Sequence, residues 1–167
     1  MMERERLLLA LLNSRPPVRK DVRDELGTPA EGRRWLRRHG GRGSSAELEA
    51  VRRARQLLEE VVRGRATPSA LAGVIAGVRQ EPRFDQDGLQ WDLVVDDDHR
   101  LAVEAVLAWG DLSCSAPGRL RACANPECTL FLLDRSPANT GRWCSMATCG
   151  NRMKAQRHRF RLRSAHD

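Results

Sequence analysis

The sequence predicts two unequal parts. Residues 1–112 are expected to form a mainly α domain carrying one small β-hairpin. Residues 113–118 read as a linker, and residues 119–167 as a compact module of knuckle, hairpin and basic helix. Three observations carry this expectation. Apolar residues recur at helical spacing through most of the first part and switch to period two around Trp91. Four cysteines stand in two close pairs near residue 135. The excess positive charge is confined to the part that holds them.

Leu7, Leu8, Leu11 and Leu12 line an opening helix that Pro16 and Pro17 stop. Val18, Val22 and Leu26 recur at i+4 and predict a second helical segment ended by Gly27. Thr28-Pro29-Ala30-Glu31 is a capping box with proline at the first helical position, opening a helix with Trp35 and Leu36. Residues 40–45 are a flexible connector, and Ser44 with Glu47 is a second capping box before Leu48, Val51, Leu58 and Val62. Thr67-Pro68 opens a further expected helix with Leu71, Val74, Ile75 and Val78. Leu89, Trp91, Leu93 and Val95 alternate as a strand, Asp87-Gly88 signals the turn before it, and Phe84 falls on the partner strand. Asp98 is placed to cap a last helix bearing Leu101, Ala105, Val106, Trp109 and Leu112. No internal repeat is present.

The formal net charge is +7, with a hydrophobic fraction of 41% and aromatics at 4%. Residues 119–167 hold ten Lys/Arg against three acids, whereas residues 1–118 hold nineteen of each. A neutral body joined to a basic module points to a polyanionic partner for the module. The plainer alternative is a solvated tail that aids solubility. The leucines at 7–12 are too few to span a bilayer and no signal peptide is evident, so a cytosolic chain without membrane contact is expected.

Cys123, Cys128, Cys144 and Cys149 form C-x4-C-x15-C-x4-C. In a reducing compartment, paired cysteines at such spacing bind metal more often than they form disulfides. Four thiolates fill a tetrahedral shell, so one structural Zn²⁺ is expected, with iron in a rubredoxin-like site as the alternative. Asn125-Pro126 can turn the first pair toward one point. Residues 129–133 are β-prone, with Arg142-Trp143 as the expected partner strand. If Ser145 is an N-cap, Cys144 and Cys149 occupy positions N′ and N4, which touch across a helix start. The helix partial charge there favours thiolates. The helix then carries Met153, Gln156 and Phe160 on one stripe, facing the hairpin, and the basic residues Arg152, Lys154, Arg157, Arg159, Arg161 and Arg163 on others. Knuckle, hairpin and helix around one ion make a treble-clef-like finger. Cys114 lies outside the pairs and reads as a small packed residue.

Arg121-x-Cys123-x4-Cys128-x2-Phe131-Leu-Leu-Asp134-Arg135-Ser136, followed by Arg142-Trp143-Cys144-Ser145-Met146-x2-Cys149-Gly150-Asn151-Arg152-x-Lys154, closely resembles the CGNR zinc-finger family. The resemblance covers about residues 119–163. It implies a preceding ABATE-type domain and a bacterial transcription regulator whose finger binds DNA. Arg135, Arg142, Arg152, Lys154, Arg157, Arg159 and Arg161 are then the candidate nucleic-acid contacts. Useful specificity from one finger calls for a homodimer or a second protein, and the N-terminal domain would pair subunits or sense a small-molecule effector. An RNA-binding or protein-docking module is the second expectation. An enzyme with its site in the N-terminal domain is the third, but no catalytic constellation is visible and none is expected. Asp96-Asp97-Asp98-His99 reads as a solvated loop before it reads as a metal cluster. Trp91 and Trp109 read as core, Trp143 as a plug over the metal site, Asn151 as a bond donor within the finger, and His158 as exposed.

Overall fold

The computed structural model describes residues 2–18 and 21–164. The side chains of Met2, Pro17, Val18, Asp21, Val22, Arg157, His158 and residues 160–164 lie outside that description. The expectations for Val18 and Val22 as apolar helix positions, for His158 and Phe160, and for Arg157, Arg161 and Arg163 as basic side chains therefore fall outside the described residues.

The architecture is mainly helical with antiparallel two-stranded ladders. Helix α1 (Met2–Leu12), α2 (Pro29–Arg38), α3 (Ser45–Val62) and α4 (Arg100–Ser115) build the body. Strands β1 (Pro17–Val18) and β2 (Asp21–Val22) form a short ladder, and β3 (Arg79–Asp85) with β4 (Gly88–Val94) a longer hairpin. Strands β5 (Leu120–Ala122) and β6 (Phe131–Leu133), a π-turn (Met146–Gly150) and α5 (Asn151–Ser164) make the C-terminal module. None of the described helices is long and apolar enough to cross a membrane.

Helices α1, α3 and α4 bury one face each against the others. Leu7, Leu8, Leu11 and Leu12 meet Val51, Leu58, Leu101, Ala105 and Val106 in one cluster. Both expected caps are present: the Thr28 hydroxyl accepts from Glu31 N at 3.2 Å, and the Ser44 hydroxyl from Glu47 N at 2.9 Å. Glu47 itself is buried, and its carboxylate accepts from Gly43 N at 2.7 Å. Helix α2 lies close on α3 because Gly32 has no side chain: a Cβ there would sit 2.5 Å from Leu48 Cδ1.

Four expectations are corrected. The described residues of this segment, Val18 and 21–26, are not helical. Arg23 N donates to Pro16 O at 3.1 Å and Glu25 N to Ser14 O at 2.9 Å, folding the segment back on itself. The segment after Thr67 is only one 3-10 turn (Pro68–Leu71), because Gly73 and Gly77, the latter at φ 75°, oppose a helix. Helix α4 begins after His99, not Asp98, since Asp98 Oδ1 is engaged by the Ser44 hydroxyl at 2.6 Å. Segment 113–118 is helical through Ser115, where the Ser113 and Ser115 hydroxyls bond back to Gly110 O and Asp111 O, and Cys114 is exposed instead of packed.

The β3–β4 hairpin projects from the body. Leu93 at its root is buried, whereas Trp91 is 55% and Phe84 80% exposed, so Trp91 is not core. Trp109 packs half-buried against the main cluster. The Asp96–His99 run is spent on neighbours: Asp97 pairs with Arg42 at 2.9 Å and Asp98 holds Ser44.

A half-buried ion pair ties the turn after β2 to α3. Arg55, 3% exposed at its side chain, places two nitrogens 2.6 and 2.8 Å from the Asp24 carboxylate and donates to Ser14 Oγ at 2.8 Å. Burial raises the Asp24 pKa, but hydrogen bonds from Arg55, Leu26 N and Arg15 and the charge of Arg55 outweigh it and hold the carboxyl near 2. A folded pKa below the unfolded value of about 3.9 stabilises the fold above that value. That contribution is lost as pH falls toward 2. Asp24→Asn should cost roughly 2 kcal/mol at pH 7, measured by urea unfolding, with the gap from the parent closing as pH drops from 5 to 2.

Candidate metal centre

The first ligand pair sits at the tip of the β5–β6 hairpin. Leu120, Arg121 and Ala122 pair with Leu133, Leu132 and Phe131, and Cys123 N donates to Leu130 O at 2.9 Å to continue the ladder. The expected partner for 129–133 was Arg142-Trp143. The β5 strand holds that place instead, and residue 142 contributes a single bond, Ala124 N to Arg142 O at 2.8 Å. Between the strands, Cys128 N donates to Asn125 O at 2.9 Å and Glu127 N to Asn125 Oδ1 at 3.2 Å, which makes the knuckle.

The second pair straddles a helix start, as the spacing predicts. Ser145 is the N-cap, its hydroxyl accepting from Thr148 N at 3.4 Å, and the chain turns through Met146–Gly150 before α5. Cys144 stands before the cap and Cys149 inside the first turn, with their sulfurs 3.7 Å apart. Gly150 permits the close packing of this turn: a Cβ there would lie 2.7 Å from Met146 Sδ and 3.3 Å from Trp143 Cδ1. Trp143 covers the cysteine cluster together with Leu130.

All four sulfurs lie within 4.8 Å of one another, and Cys123, Cys128 and Cys149 are buried. Cys128 Sγ to Cys144 Sγ is 3.7 Å. A tetrahedron with metal–sulfur bonds of about 2.3 Å sets its sulfurs about 3.8 Å apart, so the cluster fits one tetrahedral ion. Two further groups aim at the sulfurs: Cys144 N reaches Cys123 Sγ at 3.5 Å, and the buried Asn125 amide reaches Cys149 Sγ at 3.4 Å. Such donors offset negative charge on a thiolate. Without a cation the thiols oppose ionisation. Burial pushes Cys128 up to about 11, and burial with the neighbouring sulfurs pushes Cys144 up as well. Burial also opposes ionisation at Cys149, yet the Asn125 amide and adjacent thiols bring its pKa below the ordinary thiol value. A positive ion at the centre relieves this opposition. Among the described residues no other group of three or more ligating side chains converges.

The loop joining the two pairs is built on Asp134, which is buried. It accepts from Ser136 N at 2.9 Å, Gly141 N at 2.6 Å and Arg121 Nη2 at 3.3 Å. The Ser136 and Gly141 hydrogen bonds and the Arg121 charge hold its carboxyl near 2. A Cβ at Gly141 would lie 2.8 Å from Asp134 Cγ, so the loop needs glycine there. Arg119 Nη1 adds bonds to Asp134 O at 3.0 Å and Ser136 O at 2.7 Å. Arg119 and Arg121 thus hold the loop.

The candidate nucleic-acid residues divide. Arg142, Arg152, Lys154 and Arg159 are exposed. Arg142 lies over the Trp143 ring at 5.5 Å, and Arg152 reaches Glu127 at 3.3 Å across open surface. Arg135 turns the other way and pairs with Glu5 of α1 at 2.8 Å. Asn151 donates to Ala147 O at 3.5 Å within the finger. Of the stripe expected to face the hairpin, Met153 is half-buried and Gln156 exposed.

Sequence reasoning missed how the finger joins the body. Phe131 is 2% exposed and belongs to the body's core cluster. Asn13 brackets it, donating to Phe131 O at 3.1 Å and accepting from Phe131 N at 2.8 Å. Thr129 Oγ1 donates to Arg15 O at 2.7 Å. Arg63 donates to Thr129 O at 2.9 Å and stacks 4.5 Å over the Phe131 ring. The one available signal was an aromatic residue three positions after a ligand cysteine.

Fold and site together define a helical body carrying a four-cysteine metal finger. The family model described as "Putative stress-induced transcription regulator", ABATE, matches residues 5–122, and the CGNR zinc finger matches residues 119–162. The chain belongs to the ABATE family and carries a CGNR zinc finger. No curated protein matches it.

Two measurements check the centre. X-ray absorption on the metal-loaded chain should show four sulfur neighbours at about 2.3 Å and no light-atom ligand. Asn125→Ala should weaken metal affinity by roughly 10- to 100-fold in competition with a chromophoric chelator, since it removes a donor to a ligand sulfur.

Proposed function

We propose that this chain is a zinc-dependent transcription regulator whose finger binds duplex DNA. The observation that carries this reading is that a ligand stands in the turn that leads into α5: Cys149 lies two residues before the helix start, and the helix carries Arg152, Lys154, Arg157, Arg159 and Arg161. Whatever the metal holds, it holds the first turn of the most basic helix in the chain. Arg142, exposed and lying over the Trp143 ring, is a further cation of the finger. Arg135 is withdrawn from the contact set by its pairing with Glu5.

Zinc is the ion of choice for an all-thiolate tetrahedral shell beside a helix start, and the shell leaves no position for water. In this reading the metal is structural and the chain is not an enzyme. Its free thiols suit a bacterial cytoplasm. The body would serve dimerisation or effector sensing. An open cleft of about 860 Å³ beside α3, lined by Leu26, Arg52, Gln56, Val74 and His99, is the place in the body where an effector would enter.

Guanidinium and ammonium groups distributed around an exposed helix favour phosphate contacts, which position the protein and make affinity salt-dependent. Zinc-loaded protein titrated against labelled duplex DNA should show log K falling linearly with log salt, with a slope of about −3 to −5. Chelation should abolish binding. An affinity indifferent to salt, or RNA outcompeting duplex DNA at equal charge, contradicts the reading.

A further inference from the structure

The body is neutral in sum but not in distribution. Residues 29–42 carry Arg33, Arg34, Arg37, Arg38 and Arg42 against a single acid, Glu31. Helix α2 fixes four of these in two adjacent rows, Arg33 with Arg37 and Arg34 with Arg38, each row advancing about 6 Å along the axis. All four are exposed, while Gly32, Trp35 and Leu36 hold the opposite face against the body. The Thr28 cap and the close contact of Gly32 with Leu48 fix the helix end and its distance from α3. This is a rigid support for a row of guanidinium groups.

Several arginines of the body are already held in ion pairs. Arg15 and Arg55 pair with Asp24, Arg23 with Glu31, Arg42 with Asp97, Arg65 with Glu60 and Arg83 with Asp92. On α2, Arg38 pairs with Glu25 at 3.0 Å. Among the described residues, Arg33, Arg34 and Arg37 have no carboxylate within 4.0 Å. Like charges one turn apart destabilise a helix. The helix dipole favours cations only in the last turn, which leaves Arg33 and Arg34 uncompensated. Between the side chains lies an open groove of about 500 Å³ lined by Ala30 and all four arginines. It is walled by four guanidinium groups, whose charge and donors suit phosphate oxygens.

We propose that the exposed face of α2 is a second DNA-backbone contact, with Arg33, Arg34 and Arg37 binding phosphates of the duplex held by the finger. It rests on the DNA-binding reading of the finger but assigns the body a direct part in that binding. A finger alone offers few contacts, and a second grip on the body adds phosphate contacts without adding base readout. The finger is docked on the body through Phe131 and Asn13, so the two basic surfaces belong to one chain with a fixed joint between them.

The test compares three variants of the zinc-loaded full chain on one labelled duplex between 0.05 and 0.3 M salt. The first is Arg33→Gln/Arg34→Gln/Arg37→Gln. The second is Arg152→Gln/Lys154→Gln/Arg159→Gln on α5. The third, Arg65→Gln/Arg83→Gln, removes two arginines already held in ion pairs. The α2 triple should flatten the log K against log salt slope by about two to three and weaken binding roughly 100-fold at 0.1 M, with thermal unfolding unchanged. The third variant should leave the slope as in the parent. A parent-like slope in the α2 triple overturns the proposal and leaves the finger reading standing. Loss of slope in the α2 triple with parent-like binding by the α5 triple upholds α2 as a contact and overturns the finger reading. Absence of duplex binding by the parent overturns both.

Discussion

Four thiol groups converging on one point are the constraint on which the C-terminal module depends. The module has one short ladder and one helix, and most of its apolar side chains lie either on the metal cluster or in the body's core. Bringing four sulfurs within 4.8 Å of each other is unfavourable for thiolates and leaves thiols buried with little to bond. A divalent cation turns the same arrangement into the strongest contact in the module, so metal binding and folding become one event. Everything local serves that convergence: the Asn125 turn, the Ser145 cap, Gly150 under Trp143, and Asp134 gathering the intervening loop.

The metal module does not hang free. Phe131 leaves the knuckle and enters the core shared by α1, α3 and α4, where Asn13 satisfies both of its backbone groups. The strand that carries the first ligand pair is thus also the joint to the body. A change in the packing of α1 or α3 reaches the knuckle through three or four bonds, and the reverse path is equally short. For a regulator with a sensing body, that joint is where a signal would cross. Arg135, drawn onto Glu5, strengthens the joint at the expense of the free basic surface.

Legibility in the sequence followed the range of the interactions. The cysteine cluster and the Ser145, Thr28 and Ser44 caps depend on residues a few positions apart, and spacing alone revealed them. The β3–β4 hairpin was also local and was found, but whether Trp91 faces a core depends on distant packing, and it is exposed. Val18, Val22 and Leu26 mimicked a helix because their spacing is right. The bonds that override it run to Ser14 and Pro16 and leave no trace in periodicity. Arg142-Trp143 has the strand propensity to pair with 129–133, but Leu120–Ala122 lies in the hairpin register fixed by Cys123 and Leu130. Arg55 with Asp24 and Asn13 with Phe131 were invisible because polar partners 31 and 118 residues apart carry no sequence signal. The charge count for residues 1–118 was correct and yet concealed α2, since a sum of zero says nothing of where the charges stand.

The central claim is that the metal positions the basic helix, and hydrogen exchange on the full chain with and without zinc tests it most directly. Amides of 123–133 and of 144–155 should be protected when zinc is bound and exchange rapidly after chelation, while amides of α1, α3 and α4 outside the Phe131 contact keep their protection. Equal protection of the α5 start in both states would contradict the claim, because the helix would then be held by something other than the four cysteines.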